Sequence, residues 1–343
     1  IRSEAMVELG VVLALSEGRS SEAIDVLELA EALNERVGAP FIHRAHQRQA
    51  LAEALLAQGK AGQAKAIAES LLAEATEDSV SIPATLMILG RVADSQHEYA
   101  QALGYADQVI ERIESDLGPE HPLLASPLTN RGLALQHLDR TDDARRAFER
   151  SVALRREQAA GGGVGARRRL AEVLINFGNL ESSAGDGERA ADHYREALTL
   201  LPKHDEANRS LLLFNLGVDH QIAGRQEEAL ANYREALRLA EARYPPSHPR
   251  VVGSRLGVGS MLVSLERVPE AREPLERALA DWPQELRGSV DEAELCFALA
   301  QALRILDGDG ERVRALAGDA REIYEGAGLV DEVMRIDSWS KAP

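Results

Sequence analysis

Small and large apolar residues recur along this chain at spacings that predict paired helices. A glycine or alanine lies near the middle of successive apolar stretches, at intervals of 38 to 46 residues: Gly10, Ala52, Gly90, Gly132, Gly178, Gly217, Gly259 and Ala300. Two antiparallel helices approach closely only where neither carries a bulky side chain, so each position is expected at a helix crossing. We number eight repeats by these central small residues.

The second helix of each predicted pair carries its own pattern. An alanine follows the central small residue 12 positions later in six consecutive repeats: Ala64, Ala102, Ala144, Ala190, Ala229 and Ala271. A larger residue stands four positions beyond the alanine in five repeats: Leu27, Phe148, Tyr194, Tyr233 and Leu275. An offset of four puts the alanine and the large residue on one helix face, which is therefore expected to pack against the crossing.

This register predicts an all-α solenoid of about eight helix pairs in a single domain over residues 1–343. The predicted repeats are 1–37, 41–78, 80–117, 121–160, 166–203, 205–244, 248–283 and 289–326, with a capping helix at 329–341. The stretch AAGGGVGA at 159–166 predicts a flexible connector between the fourth and fifth repeats.

Two stretches resemble the tetratricopeptide repeat: INFGNLESSAGDGERAADHYREALTLLP at 175–202 and FNLGVDHQIAGRQEEALANYREALRLA at 214–240. The period near 42, with a His-Pro pair before the first helix at His121 and His248, is similar to the long repeats of kinesin light chains. The resemblance implies a superhelical solenoid whose first helices line a concave groove for peptides or proteins.

The last segment, from Phe297 onward, resembles the C-terminal repeat region of myxobacterial-type serine/threonine kinases. This likeness implies a non-catalytic regulatory or docking region of a bacterial signalling protein. Because the chain begins at Ile1 and not at a methionine, we expect it to be a fragment of a longer protein.

The net charge of the chain disfavours some classes of binding partner. The formal net charge of −17 disfavours nucleic acid and anionic membranes, since both repel an acidic surface. Between Arg140 and Arg169, however, nine arginines stand against four acidic residues, which predicts a possible preference for an acidic ligand. The lone Cys296 allows no disulfide within the chain and favours a reducing, cytoplasmic setting.

No catalytic residue, cofactor or metal site is predicted. The glycine-rich stretch at 161–165 lacks the preceding strand and the Lys-Ser/Thr pair of a phosphate-binding loop, so it indicates a linker. His43 and His46 lie three residues apart without a third ligand, which indicates a surface pair. Cys296 lies in an apolar run and is expected to be a small buried residue.

The resemblance also implies candidate binding residues. The residue two before the central glycine faces the groove in this family, and here it is an asparagine in three consecutive repeats. The candidate residues are Asn130, Asn176 and Asn215, with Asn179, Arg91, Thr129, Gln136, His137, Phe214 and Gln221 beside them. An amide both donates and accepts hydrogen bonds, so a row of amides could clamp a peptide backbone. Alternatively, the amides bond to adjacent helices and only stabilise the stack.

The sequence therefore leaves three alternative hypotheses for the function. The first is an interaction scaffold in a signalling protein such as a serine/threonine kinase, with a protein or peptide as partner. The second is the effector-sensing arm of a transcriptional regulator or of an ATPase of the STAND type. The third is an enzyme with an unrecognised site in the groove.

Overall fold

The computed structural model describes residues 2–14, 19–76, 79–308 and 310–341, and these contain helices, turns and no strand. Seventeen α-helices, numbered α1 to α17 in chain order, occupy the described residues: Arg2–Ala14, Ser20–Arg36, Phe41–Ala57, Ala61–Glu74, Ile82–Ser95, Tyr99–Leu117, Ala125–His137, Thr141–Ala160, Val164–Ser183, Gly187–Leu200, Glu206–Ile222, Gln226–Arg243, Pro249–Ser264, Val268–Ala280, Val290–Asp307, Glu311–Gly326 and Val330–Lys341. The predicted all-α fold of eight helix pairs and a final helix is confirmed. The predicted limits at Ile1 and Asp78 lie outside the described residues.

Odd-numbered helices α1 to α15 are the first helices of the pairs, and even-numbered helices α2 to α16 are the second. No helix in the described part of the chain is long and apolar enough to span a membrane. The glycine-rich stretch proves shorter than expected, because α8 continues to Ala160 and α9 begins at Val164. Alanine and valine on either side extend the helices, so only residues 161–163 lie between them.

The central glycines lie at helix crossings, as the register predicts. A Cβ atom added to Gly132 would lie 2.8 Å from the Phe148 ring, and one added to Gly217 would lie 2.7 Å from the Tyr233 ring. In both cases the large residue stands on the second helix of the same pair, 16 positions later. Glycine is required here because no other side chain leaves room for the ring.

One turn geometry joins the helices of six successive pairs. The residue seven positions after the central small residue has a left-handed backbone in each: Gly59, His97, Asp139, Gly185, Gly224 and Glu266. The residue that follows it donates its backbone N–H to a carbonyl of the last helical turn. One example is the bond from Arg225 N–H to His220 O at 2.8 Å. Three of the six residues are not glycines, and an L-residue in this conformation costs about 1 kcal/mol.

The two His-Pro pairs share one capping mechanism: His121 caps the 3-10 helix Pro122–Leu124, which leads into α7, and His248 caps α13. The Nδ1 atom of His121 accepts the backbone N–H of Leu123 at 3.3 Å, and that of His248 accepts the N–H of Arg250 at 3.1 Å. The proline that follows each histidine occupies a position where no N–H is needed. His248 stacks on Tyr244 at a ring distance of 4.0 Å, which fixes this cap in place.

The chain divides into two compact units, Ile1–Val173 and Leu174–Pro343. In the first unit, alanine, leucine and valine side chains fill the spaces between α1 and α8. In the second unit, the core continues to α17, where Ile336 is buried and the Trp339 ring meets Phe297 edge-on at 5.3 Å. The final helix therefore covers the apolar end of the eighth pair.

A buried arginine also links elements of the second unit by ion pairs. Arg255 on α13 is only 2% exposed, and its guanidinium donates to Glu241 at 2.9 Å and to Asp281 at 2.6 Å. The two carboxylates lie on α12 and just beyond α14, so one arginine joins three consecutive elements.

Candidate functional site

The first unit contains a cavity of about 360 Å³ between the third helix pair and its neighbours. Leu56 of α3, Met87 of α5 and Leu133 of α7 provide apolar walls, and Ala102 and Ala106 of α6 form the floor. The polar side chains in the lining are Arg91, Asp94, Ser95 and Asn130. Arg91 and Ser95 are exposed, so the cavity opens to solvent beside them.

The cavity exists because the third repeat lacks a large residue at its crossing. Gly90 has Ala106 at the position 16 residues later, where the fourth repeat has Phe148 opposite Gly132. A Cβ atom added to Gly90 would find its nearest neighbour, the Cβ of Tyr105, at 3.6 Å, which is ordinary contact. The second repeat also pairs two small residues, Ala52 and Ala68.

Two predicted binding residues, Arg91 and Asn130, lie together in the lining of this cavity. Arg91 forms an ion pair with Glu53 of α3. Asn130 is half-buried, and its Nδ2 lies 3.8 Å from the sulfur of Met87, which is a weak acceptor. The Asn130 amide therefore keeps most of its hydrogen-bonding capacity for another group.

The other predicted residues of the first unit lie on α7, and two of them contact residues of the second helices α6 and α8. The Thr129 hydroxyl lies 2.8 Å from that of Ser151 on α8 and donates to the backbone of Ala125. His137 is exposed and stacks on Tyr99 with ring centroids 4.2 Å apart. Gln136 is half-buried at the end of α7. Thr129 thus ties the two helices of its pair, whereas His137 presents one ring face to solvent.

In the second unit, two of the predicted asparagines are bonded to each other. Asn215 on α11 donates from Nδ2 to the Oδ1 of Asn179 on α9 at 3.1 Å. The Tyr194 hydroxyl donates to the same oxygen at 2.7 Å. Both amides are half-buried, and their bond joins adjacent first helices, which is the arrangement that the structural alternative describes.

Of the remaining predicted residues of this unit, Gln221 and Phe214 lie at the sixth crossing, and Asn176 lies near the fifth. Gln221 accepts the Tyr233 hydroxyl at 2.8 Å through its Oε1 atom. Phe214 packs against the Tyr233 ring at 5.5 Å, and burial raises the pKa of the Tyr233 hydroxyl far above its ordinary value. Asn176 is half-buried on α9, two residues before Gly178. The hydroxyl of Tyr233 therefore stays protonated and acts as a donor.

A buried polar group near Gly217 was missed by sequence reasoning. Asp219 is 2% exposed, and its Oδ1 accepts the Ser182 hydroxyl at 2.6 Å, whereas its buried Oδ2 has no hydrogen-bond partner. Burial raises the pKa of Asp219 above its ordinary value. Burial also lowers the pKa of the neighbouring His220, whose Nδ1 lies 3.0 Å from the Asn232 amide. An acidic residue in an otherwise apolar register, two after the central glycine, was the available signal.

The arginine-rich segment is largely compensated by acidic side chains of this chain. At least five of its nine arginines form ion pairs with carboxylates: Arg140 and Arg146 with Asp143, Arg145 with Asp142, Arg150 with Glu114, and Arg168 with Glu172. These pairs leave less free positive charge on the segment than the sequence count indicates.

The titratable groups of the described residues form no cluster of three or more that could hold a metal ion. His43 is half exposed and lies 3.9 Å from Glu4, within a cavity that His46 also lines. Cys296 is buried, and burial raises the pKa of its thiol to about 12. A thiol held in its protonated form is a poor nucleophile, so Cys296 belongs to the core.

Models of the tetratricopeptide repeat match residues 81–157 and 169–242, and a second model of this repeat matches 214–285. Among curated proteins, no sequence matches the chain significantly. Among solved structures, the apo form of RapI aligns with a TM-score of 0.72 at 10% identity, covering 98% of this chain and 96% of that one.

The quorum sensor NprR from B. thuringiensis is also similar in structure. Its apo form aligns with a TM-score of 0.62 at 14% identity over 98% of this chain and 97% of NprR. The complex of NprR with its cognate peptide NprX aligns at 0.52, with 16% identity and coverage of 99% and 95%. At these identities the likeness shows the fold, and the sequence matches cover more than half of the residues. The chain therefore belongs to the tetratricopeptide-repeat family.

Proposed function

We propose that this chain is a non-catalytic scaffold that binds a peptide or protein partner on the surface of its first helices. Half-buried amides on first helices carry the proposal: Asn130 on α7 in the first unit, and Asn176 and Asn179 on α9 and Asn215 on α11 in the second unit. Side-chain amides can donate to and accept from a peptide backbone whatever its sequence.

The similarity to solved structures supports the same function. NprR forms a complex with its cognate peptide, and this chain shares the NprR fold over nearly its whole length. A helical-repeat fold of this length therefore accommodates a peptide ligand. The tetratricopeptide-repeat matches cover α7, α11 and residues 169–183 of α9.

The four amides are not equivalent as ligand-binding groups. Asn130 has only a weak sulfur contact, so its truncation removes a group able to bind a partner. Asn179 already accepts two hydrogen bonds through Oδ1, so it contributes mainly N–H donors. We expect Asn130 to be the strongest single contributor to partner affinity, and Asn179 to act partly by holding Asn215.

The test is affinity capture with the full chain, followed by titration of the captured partner. Changing Asn130, Asn176 and Asn215 together to alanine should weaken binding by about one to three decades, because each amide bond contributes about 0.5–1.5 kcal/mol. Asn232→Ala is the matched control, since it removes an amide from a second helix. Unchanged partner affinity in the triple variant, at equal thermal stability, would place the binding surface elsewhere.

A second candidate function, effector sensing, is favoured by the similarity to NprR, a quorum sensor. The two functions differ in the size of the ligand. A sensor should bind a short peptide cut from the partner as tightly as the whole partner, whereas a scaffold should lose affinity with the removed surface. Calorimetry with peptides of decreasing length separates them.

The link to a serine/threonine kinase and the preference for an acidic ligand stay predictions. The kinase link is tested by the sequence of the full-length gene product. The acidic preference is tested by the salt dependence of partner affinity, which should fall as salt rises if arginines of the 140–169 segment contact the partner.

A further inference from the structure

The cavity beside Gly90 lies where two other repeats hold a tyrosine ring. Tyr194 lies against Gly178, and Tyr233 lies against Gly217, each from the position 16 residues later. In the third repeat that position is Ala106, whose side chain ends at its Cβ atom. The walls of the cavity are otherwise those of a normal crossing, with leucine and methionine side chains on three first helices.

A hydrogen-bond acceptor for a phenol is also present. The hydroxyl of Tyr233 donates to Gln221, which stands four positions after the central glycine of the sixth repeat. The position four after Gly90 is Asp94, which lines the cavity and is half-buried. A carboxylate is a stronger acceptor than an amide oxygen, so the third repeat provides the polar end of a tyrosine site without the tyrosine.

We propose that this cavity binds a tyrosine side chain of the partner, with its ring against Gly90 and Ala106 and its hydroxyl donating to Asp94. The partner residue would take the place that Tyr194 and Tyr233 occupy in their own repeats. This inference rests on the proposed function and deepens it, because it names one residue type that the partner must present.

The amide of Asn130 supports this ligand over a free small molecule. Asn130 lines the same cavity and keeps most of its hydrogen-bonding capacity, so it can bond to the backbone of the residue whose side chain enters. A peptide tyrosine supplies both groups, a ring for the apolar walls and a backbone amide for Asn130.

The first experiment needs no partner. It uses p-cresol, which is the side chain of tyrosine, and toluene, which lacks the hydroxyl, as probes of the intact chain by calorimetry and by NMR of the Met87 methyl group. Smaller apolar cavities in proteins, of about 150 Å³, do bind aromatic molecules. We expect p-cresol to bind about tenfold or more tightly than toluene, since a hydrogen bond to a charged group contributes about 1.5–3 kcal/mol.

Two variants test the assignment of residues. Asp94→Ala, which leaves no side-chain acceptor, should remove most of the preference for p-cresol over toluene while toluene still binds. Ala106→Tyr should place a ring of this chain in the cavity and abolish binding of both probes. Ala100→Tyr is the matched control, because it adds the same side chain at an exposed position of the same helix.

The second experiment uses the captured partner. Ala106→Tyr should lower partner affinity at least tenfold, whereas Ala100→Tyr should not. Failure of p-cresol to bind, or full partner affinity in Ala106→Tyr, would overturn the inference. Should Ala106→Tyr fail to fold, Asp94→Ala in both experiments still decides. Because the p-cresol measurement involves no partner, it stands even if the proposed function fails.

Discussion

The third and sixth helix pairs have the same register but opposite interiors at their crossings. In the sixth pair, the Tyr233 ring lies between Gly217 and Gly257, and a Cβ atom on either glycine would come within 2.7 Å of it. In the third pair, Gly90 faces Ala106, and a cavity remains. The sixth repeat thus fills its crossing with its own tyrosine ring, while the third repeat leaves room for a side chain of another molecule.

The comparison separates stability from binding within one architecture. Solenoid stability is approximately a sum of repeat and nearest-neighbour terms, so one poorly filled repeat lowers stability locally without unfolding the rest. A filled crossing contributes to stability and offers no pocket. The open crossing of the third repeat contributes less to stability and offers a pocket. For this reason we propose the third repeat as the binding repeat.

The largest expected effect comes from removing the ring that fills the sixth crossing. Tyr233→Ala should cost about 3–5 kcal/mol, the usual range for truncating a buried aromatic residue to alanine, because it leaves a cavity and unpairs Gln221. Urea unfolding followed by circular dichroism measures the loss. If Tyr233→Ala proved neutral, the sixth crossing would not depend on its ring, and the contrast with the third would disappear.

A smaller but more specific effect should follow from enlarging the two glycines. Gly217→Leu should overpack the crossing and cost about 1–3 kcal/mol or more, whereas Gly90→Ala should lie within about 1 kcal/mol of wild type, on the stabilising side, because its Cβ meets only ordinary contacts and alanine favours a helix interior over glycine. Exposed Glu227→Gln serves as a surface control within the same small range. Equal losses from all three variants, measured by thermal unfolding, would show that the register is wrong.

The smallest expected effect concerns Asp219, whose counterpart in the third repeat is the buried Val92. Burial raises the folded-state pKa of Asp219, so the folded chain binds its proton more tightly than the unfolded chain does. Stability should therefore fall as pH rises from the ordinary Asp range toward the raised pKa, and should then level off. Asp219→Asn should remove this fall and be about 1 kcal/mol more stable at neutral pH.

Unfolding midpoints of wild type and Asp219→Asn between pH 3 and pH 7 provide the measurement. The two curves should converge at the acid end, where Asp219 is protonated in both folded and unfolded chains. His220 and Arg225 lie close to Asp219 and are kept in both proteins, so their titration cancels in the difference. A difference that does not change with pH would mean that Asp219 keeps an ordinary pKa.

Sequence reasoning predicted the crossings because they depend on residue size at a fixed period. Gly132 and Gly217 were expected at crossings and lie there, whereas the seating of the Phe148 and Tyr233 rings directly against them was not predicted. The cavity was not predicted, although the signal was present: the series of large residues has no member in the third repeat, where Ala106 stands. Ala106 stands out only when the third repeat is compared with the repeats that carry a large residue at the same position.

Other features depend on contacts that no period encodes. The left-handed turns at His97, Asp139 and Glu266 were not expected, because only glycine adopts that conformation without strain. The bond between Asn215 and Asn179 joins residues 36 positions apart, and its partner choice follows from how α9 and α11 meet. Which candidate residues bind a partner stays a prediction for the same reason.

Within each unit, packing contacts join helices that are one or two places apart in the chain, as between α5 and α6 or α5 and α7. Such a chain has a low contact order, because few of its contacts join residues that are far apart in the sequence. A single helix pair can thus nucleate folding and its neighbours can add one by one. We infer that the order in which pairs form follows how well each crossing is filled, so the sixth pair should precede the third.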